Sequence, residues 1–289
     1  MKIGMIGVGL MGKGIATNIL KDKTYQLHFL SHQGNQPTDT LEAAGALATP
    51  TIKETISNAK IIILCVTGAA QVEEILFGPE GILAQGKKGQ IIIDCSTSMP
   101  DKTKAFSARL AEAEITFVDA AMTRTPKEAA AGRLNLIVGA DKPVFDEIYP
   151  LLDLFAENIV HAGDVGAGQA LKLIHNYVSL GYAAVIAEAA AQADKQGIDA
   201  QRFLDVLHVG GGNSAVLERF RPFLTNKDIS GLQFSLSNAA KDIGYYIQAH
   251  EDSPLSSAIM DLFCRGVDEI GPSESVLHLK DLLAQQTNT

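Results

Sequence analysis

The segment Gly7-Val8-Gly9-Leu10-Met11-Gly12 follows the apolar run Lys2–Ile6 directly and opens a helical pattern over Met11–Lys21. A strand, a GxGxxG turn and a helix in that order constrain the fold more than any other feature of the chain. Gly7 makes the tight turn, Gly9 lets a pyrophosphate approach the backbone, and Gly12 lets the helix pack closely on the strand. The free N–H groups of the helix N-terminus, at Leu10 and Met11, then favour phosphate. With a second strand at the expected spacing, the motif predicts the opening unit of a dinucleotide-binding domain.

Short β-rich runs alternate with helical patterns through the first half. Strands are expected at Lys2–Ile6, Tyr25–Leu30, Ile61–Val66, Gln90–Asp94, Ile115–Val118 and Leu134–Val138. Helices are expected at Met11–Lys21, Ala69–Phe77, Asp101–Ala113 and Lys142–Phe155. Apolar strands alternating with helices predict a parallel, doubly wound α/β sheet of Rossmann type. Past the glycine-rich joint Gly163–Gly168 the pattern becomes wholly helical. A single helix of about 28 residues, Gln169–Gln196, is followed by Ala200–Leu207, Val216–Phe223, Leu236–His250 and Ser256–Ile270. The expected organisation is a nucleotide domain over 1–162 and an all-α domain over 163–289, with the polar tail from Gln285 to Thr289 frayed.

A net charge of -9 with no basic run argues against nucleic acid. The apolar stretch Leu171–Ala193 carries Lys172, His175, Asn176 and Glu188, so it reads as a buried helix and not as a membrane span. The N-terminal run enters the glycine motif with no room for a leader peptide. Cys65, Cys95 and Cys264 share no CxxC spacing; they read as reduced thiols of a cytoplasmic protein, with no metal site.

The end of the second strand reads the nucleotide. Phe29-Leu30-Ser31-His32-Gln33 holds no acid to take a ribose 2′-hydroxyl, and the next one is Asp39. Ser31, His32 and Gln33 offer donors and repel no 2′-phosphate, which tilts the expectation to NADP with NAD possible. No arginine is present to settle it, and an exposed loop histidine is an equal reading of His32. Val66 and Thr67, at the end of the Ile61–Val66 run, join the cofactor candidates. Lys172 and Asn176 share one face of the long helix, and Ser179 continues it. A carbonyl reduced by hydride needs a proton, and a partly desolvated lysine with a lowered pKa supplies one. Asn176 would orient the lysine or the substrate oxygen. From spacing alone, a lysine snorkelling from a buried helix is an equal reading.

The chain resembles the β-hydroxyacid dehydrogenase family, which includes 3-hydroxyisobutyrate dehydrogenases and tartronate semialdehyde reductases. The motifs that carry the resemblance are Gly7–Gly12, Asp94-Cys95-Ser96-Thr97-Ser98-Met99-Pro100, Gly132-Arg133-Leu134, Gly166-Ala167-Gly168 with Lys172 and Asn176, and Ala240-Lys241-Asp242. The resemblance implies Lys172 as catalytic acid/base, with Asn176 beside it. It also implies Ser96 and Thr97 near nicotinamide and substrate, Lys241 on the cofactor, and a homodimer or homotetramer built through the long helix. Ser96 and Thr97 also read as an N-cap for the helix near Asp101. His175 replaces an asparagine common in the family and is expected to be packed and hydrogen-bonded.

One segment departs from the family. Many members hold the substrate carboxylate with Ser-Gly-Gly, where this chain has Met122-Thr123-Arg124-Thr125-Pro126. An arginine there is similar to sulfolactaldehyde reductases. A planar guanidinium flanked by Thr123 and Thr125 suits a carboxylate, sulfonate or phosphate; a solvent-facing arginine is the plainer alternative. The leading expectation is a reductase interconverting a small anionic semialdehyde and its hydroxy acid. An imine reductase of the same fold and a non-catalytic dinucleotide-binding protein are the alternatives. The intact Lys172 argues against both.

Overall fold

The computed structural model describes residues 1–250 and 253–285, so the expected fraying of the tail falls, over 286–289, outside the described residues. The chain divides into two compact units, the first running from Met1 to Lys172 and the second starting at Leu173.

The first unit is built on eight strands. These are β1 (Lys2–Ile6), β2 (Gln26–Leu30), β3 (Leu47–Thr49), β4 (Ile61–Leu64), β5 (Ile91–Asp94), β6 (Thr116–Thr123), β7 (Leu134–Gly139) and β8 (Ala156–Gly163). The helices between them are α1 (Leu10–Ile19), α2 (Asp39–Ala43), α3 (Ile52–Ile56), α4 (Ala69–Phe77), α5 (Ile82–Gln85), α6 (Pro100–Ala111), α7 (Pro126–Ala131) and α8 (Lys142–Leu152). The sheet order is β3-β2-β1-β4-β5-β6-β7-β8. The chain reverses its direction of travel across the sheet between β1 and β4, so the carboxyl end of β1, where Gly7 lies, is a topological switch point.

The strands form because they are apolar on both faces. Ile3, Met5, Ile61, Ile63, Ile91 and Ile93 face one core, and Ile6, Ile62, Leu64, Ile92 and Phe117 face the other. Each such side chain contributes about 1.5–3 kcal/mol on burial, which only a sheet covered on both faces can collect.

The sheet differs from the sequence expectation in its strands and in one strand direction. The short strand β3 and the strand β8 were not expected from the pattern. β7 runs antiparallel to β6, with Thr123 opposite Asn135 and Asp119 opposite Gly139. The connection between them, occupied by the short α7, is too brief to cross to the opposite edge of the sheet, so the chain turns back.

The second unit is helical. It comprises most of α9 (Ala167–Lys195), then α10 (Ala200–Val209), α11 (Ala215–Asn226), α12 (Leu236–Ala249), α13 (Ser256–Glu269) and α14 (Leu279–Ala284). Leu217, Phe220, Phe223, Leu236, Ile243 and Phe263 form its core. α9 is long and apolar enough to cross a membrane by length and composition, but 44% of that stretch is buried inside the protein. It is not buried all round, as its composition suggests: Leu171, Ile174, Val178, Tyr182 and Val185 form an exposed stripe. The recurrence of these residues every three or four positions places them on one face.

Candidate functional site

The glycine loop is closed by backbone contact. Gly7 has φ +98°, and a Cβ there would fall 2.2 Å from the Cys65 carbonyl oxygen. A Cβ on Gly12 would fall 2.0 Å from the Gly7 carbonyl oxygen. Gly9 is different: the nearest atom to its missing Cβ is the Gly34 oxygen at 4.0 Å, so the space above it is open. Gly9 is also the N-cap of α1, which has no side-chain cap and no acid in its first turn. An open glycine backbone at an uncapped helix N-terminus fits a pyrophosphate. Leu10 is exposed and Met11 half-buried at this mouth.

The loop after β2 folds onto the glycine loop. Asn35 accepts a hydrogen bond from the Val8 N–H at 3.2 Å and donates from Nδ2 to the Leu30 carbonyl at 2.9 Å. Gln36 N–H donates to the Val8 carbonyl at 2.9 Å. Ser31, His32 and Gln33 are exposed, and the Gly34 N–H donates to His32 Nδ1 at 3.0 Å. With Nδ1 accepting that bond, Nε2 is the ring nitrogen left to donate. Asn35 ties the loop after β2 to the glycine loop, a link the sequence did not reveal, because an asparagine in a polar loop carries no periodic signal.

Ser96 is buried and Thr97 half-buried just beyond β5. The N-cap reading of this pair is overturned: α6 is capped at Met99 without a side-chain bond and begins with Pro100. Proline at the first helical position has no N–H to be capped. The Ser96 hydroxyl instead accepts the Val66 N–H at 3.0 Å, and its own N–H donates to Asp94 Oδ1 at 2.9 Å. Val66 is half-buried and Thr67 exposed beside it. Two buried carboxyls lie below, paired in register on β5 and β6. Burial pushes Asp94 up to about 6, against the hydrogen bonds from Ser96. Burial pushes Asp119 to about 6 as well, against the N–H groups of Gly166, Gln169 and Gly168.

Asp119 anchors the start of α9, accepting from Gly166 N–H at 2.7 Å and Gln169 N–H at 2.7 Å. A carboxylate at a helix N-terminus meets both the free N–H groups and the positive end of the dipole. Gly139 and Gly168 allow the approach, since a Cβ on either would lie within 2.6 Å of the Asp119 carboxyl oxygens.

The departing segment ends β6. Arg124 holds φ +81°, a glycine backbone conformation carried by an arginine. Its Nη1 donates to the Arg133 carbonyl and forms an ion pair with Glu157. The guanidinium is therefore engaged within the protein along the sheet edge. The Thr123 hydroxyl accepts from Asn135 Nδ2 at 3.1 Å, and Thr125 forms a capping box with Glu128 at the start of α7. α7 in turn packs on α1, where a Cβ on Gly14 would fall 2.5 Å from the Ala129 carbonyl carbon.

On α9, Lys172 is 7% and Asn176 5% exposed. Asn176 donates from Nδ2 to Asp242 Oδ2 at 2.6 Å, and His175 Nδ1 lies 3.0 Å from Asn176 Oδ1. The asparagine amide is thus held at both ends. His175 is exposed, contrary to the packed histidine expected. Ser179 follows on the same face and donates to the Asn176 carbonyl at 3.3 Å. Asp242 is 2% exposed and its Oδ1 lies 3.3 Å from Lys241 Nζ. Lys241, with Tyr245 5.8 Å away, is a partly buried group and not a plain surface charge. The sequence signal for Asp242 is only its place in Ala240-Lys241-Asp242 on an otherwise apolar helical face.

The description "NAD binding domain of 6-phosphogluconate dehydrogenase" matches residues 2–163. The description "NAD-binding of NADP-dependent 3-hydroxyisobutyrate dehydrogenase" matches residues 166–272. The chain is 31% identical over 268 residues to 2-(hydroxymethyl)glutarate dehydrogenase of Eubacterium barkeri, covering 91% of this chain and 88% of the relative. It is 33% identical over 218 residues to 2-hydroxy-3-oxopropionate reductase of Escherichia coli, covering 75% and 74% respectively. Its fold is similar to that of Mycobacterium tuberculosis 3-hydroxyisobutyrate dehydrogenase, with TM-score 0.85, 24% identity and 98% of each chain covered. With both halves matched in order and the glycine loop shaped for a pyrophosphate, the chain belongs to the β-hydroxyacid dehydrogenase family of NAD(P)-dependent oxidoreductases.

Proposed function

We propose that the protein is an NADP-preferring reductase that interconverts a short anionic semialdehyde and its hydroxy acid, with Lys172 as general acid/base. The observation that carries this reading is a buried lysine one helical turn before a buried, doubly held asparagine. The bound nicotinamide supplies the hydride in reduction and accepts it in the reverse direction. Lys172 Nζ gives its proton to the oxygen of the reduced carbonyl and takes it back on oxidation. The Asp242 carboxylate holds one Asn176 N–H, and the other would be offered to that oxygen.

On the cofactor side, Gly7, Gly9, Gly12, Leu10 and Met11 would receive the pyrophosphate. Ser31, His32 and Gln33 would meet the 2′-position with hydrogen-bond donors; Val66, Thr67, Thr97 and Lys241 would complete the contacts. The substrate anion would meet Ser96, Thr123, Arg124 and Thr125, with Arg124 exchanging Glu157 for it. Ser179 extends the substrate face. The relatives' names support this class: they act on small hydroxy acids and their semialdehydes.

The proposal includes a nucleotide domain over 1–162, a helical domain over 163–289, a cytoplasmic setting, and a homodimer or homotetramer. The exposed apolar stripe of α9 supports self-association, since such a stripe costs free energy in water until it is covered.

The test is cofactor absorbance against short semialdehydes bearing carboxylate, sulfonate or phosphate, with NADH and NADPH. The Lys172→Ala variant is expected to lose at least about 100-fold in turnover. Normal turnover by that variant would refute the assignment.

A further inference from the structure

We propose that Gln169 is a positioning residue for the reaction, its carboxamide fastening the Ser96–Thr97–Ser98 segment to the helical turn that carries Lys172. The inference rests on the reading of Lys172 as acid/base with Ser96 and Thr97 beside the substrate and nicotinamide.

Gln169 is fully buried. Its Nε2 donates to the Ser96 carbonyl at 2.7 Å, and its Oε1 accepts the Ser98 N–H at 2.9 Å. A single side-chain amide thus satisfies the carbonyl of one residue and the N–H of the second residue after it, as a neighbouring strand's peptide would. The comparison matters because the 95–99 segment is neither strand nor helix. β5 ends at Asp94 and α6 starts only at Pro100, so beyond the Cys95 N–H, which donates to the Leu64 carbonyl at 2.8 Å, no ladder bond fixes this stretch of backbone. The Ser98 hydroxyl is buried with no hydrogen-bond partner, so it does not hold the turn.

The other end of the fastening is equally fixed. The backbone N–H of Gln169 donates to Asp119 at 2.7 Å, which sets the rotation and height of the first turn of α9. Lys172 follows three residues later, on the same helical face as Gln169. Ser96 and Lys172 are therefore tied through one side chain and one helical turn, with the sheet as the common base. A displacement of about 1 Å between reacting groups costs about 100-fold in rate. Two hydrogen bonds within a fully buried site are the means of preventing it.

The experiment compares Gln169→Met, which keeps length and loses both bonds, with Gln169→Glu. The glutamate keeps an acceptor for the Ser98 N–H and sets a second oxygen against the Ser96 carbonyl. Each is measured on the full chain for urea unfolding, NADPH affinity by fluorescence titration, amide exchange at Ser98, and kcat and KM with the best semialdehyde of the panel. The expected result for Gln169→Met is a folded protein with unprotected Ser98 N–H and NADPH affinity within about threefold of wild type. Its kcat is expected to fall by about 100-fold. Gln169→Glu retains Ser98 protection and recovers part of the loss. Should Gln169→Met not fold, Gln169→Glu alone decides: a folded Gln169→Glu with wild-type kcat overturns the proposal. So does a folded Gln169→Met with wild-type kcat, or a loss seen only in NADPH affinity. Lys172→Ala run alongside separates the two ideas. If Lys172→Ala is inactive while the Gln169 variants turn over normally, only the positioning role fails; if Lys172→Ala is active, the acid/base reading and this inference both fail.

Discussion

Replacing Asp94 by asparagine should change how stability depends on pH in a defined direction. The carboxyl is completely buried, accepts the Ser96 N–H through Oδ1, and has no hydrogen-bond partner at Oδ2. Burial lifts its pKa from 3.8 to about 6, with the facing Asp119 adding to the rise. In the unfolded chain the carboxyl releases its proton near 3.8, whereas in the folded chain it keeps the proton until about 6. Between those values folding takes up a proton, so stability is fully present below the lower value and falls as pH rises through the higher one. At 1.36 kcal/mol per pKa unit, the loss is about 3 kcal/mol. The substituted asparagine can still accept the Ser96 N–H through its carbonyl oxygen but does not titrate. Urea unfolding of wild type and Asp94→Asn at half-unit steps from pH 4 to pH 8 measures the difference. The wild type should lose about 3 kcal/mol more than the variant across that window, whatever the absolute offset from the new amide. Equal slopes in the two proteins would refute the argument that Asp94 is protonated by burial, and an opposite slope would mean that it is held as a carboxylate.

Two further outcomes follow from the backbone. Gly12→Ala places a Cβ 2.0 Å from the Gly7 carbonyl oxygen and must push α1 off the loop, so NADPH affinity is expected to fall by at least about tenfold in a fluorescence titration; unchanged affinity would show that the loop does not seat the pyrophosphate. Arg124→Gly removes a left-handed arginine worth about 1–2 kcal/mol of strain and an exposed ion pair worth about 0–1 kcal/mol. Thermal unfolding should therefore show equal or slightly higher stability, while any preference for sulfonate or phosphate substrates disappears. A preference that survives would return Arg124 to its pairing with Glu157.

The strands that alternate with amphipathic helices were legible because buried parallel strands must be apolar on both faces, and Ile61–Leu64 and Ile91–Asp94 announce themselves by composition. β3 and β8 were not, since Leu47–Thr49 is only three residues long and Ala156–Gly163 is interrupted by Glu157, Asn158 and His161. Lys172 and Asn176 were legible as a pair because four residues on a helix bring side chains to one face. Thr125 was legible only as a neighbour of Arg124; that it also caps α7 through Glu128 is what the folded geometry adds.

The glycine motif, the helix that follows it and the placing of Lys172 one turn before Asn176 are properties of local sequence. They depend on backbone freedom at Gly7 and on the helical repeat, both of which act over a few residues. What holds those groups in place is not local. Asn35 reaches Val8 across 27 residues, Gln169 reaches Ser96 across 73, and Asp242 reaches Asn176 across 66. A hydrogen bond leaves no periodic trace in the intervening chain, so only the folded arrangement decides which of the many polar side chains is buried opposite which backbone group. The sequence alone therefore determined the reacting types and their spacing, and the tertiary structure decided their partners, because an unpaired polar group costs free energy on burial and most therefore find one.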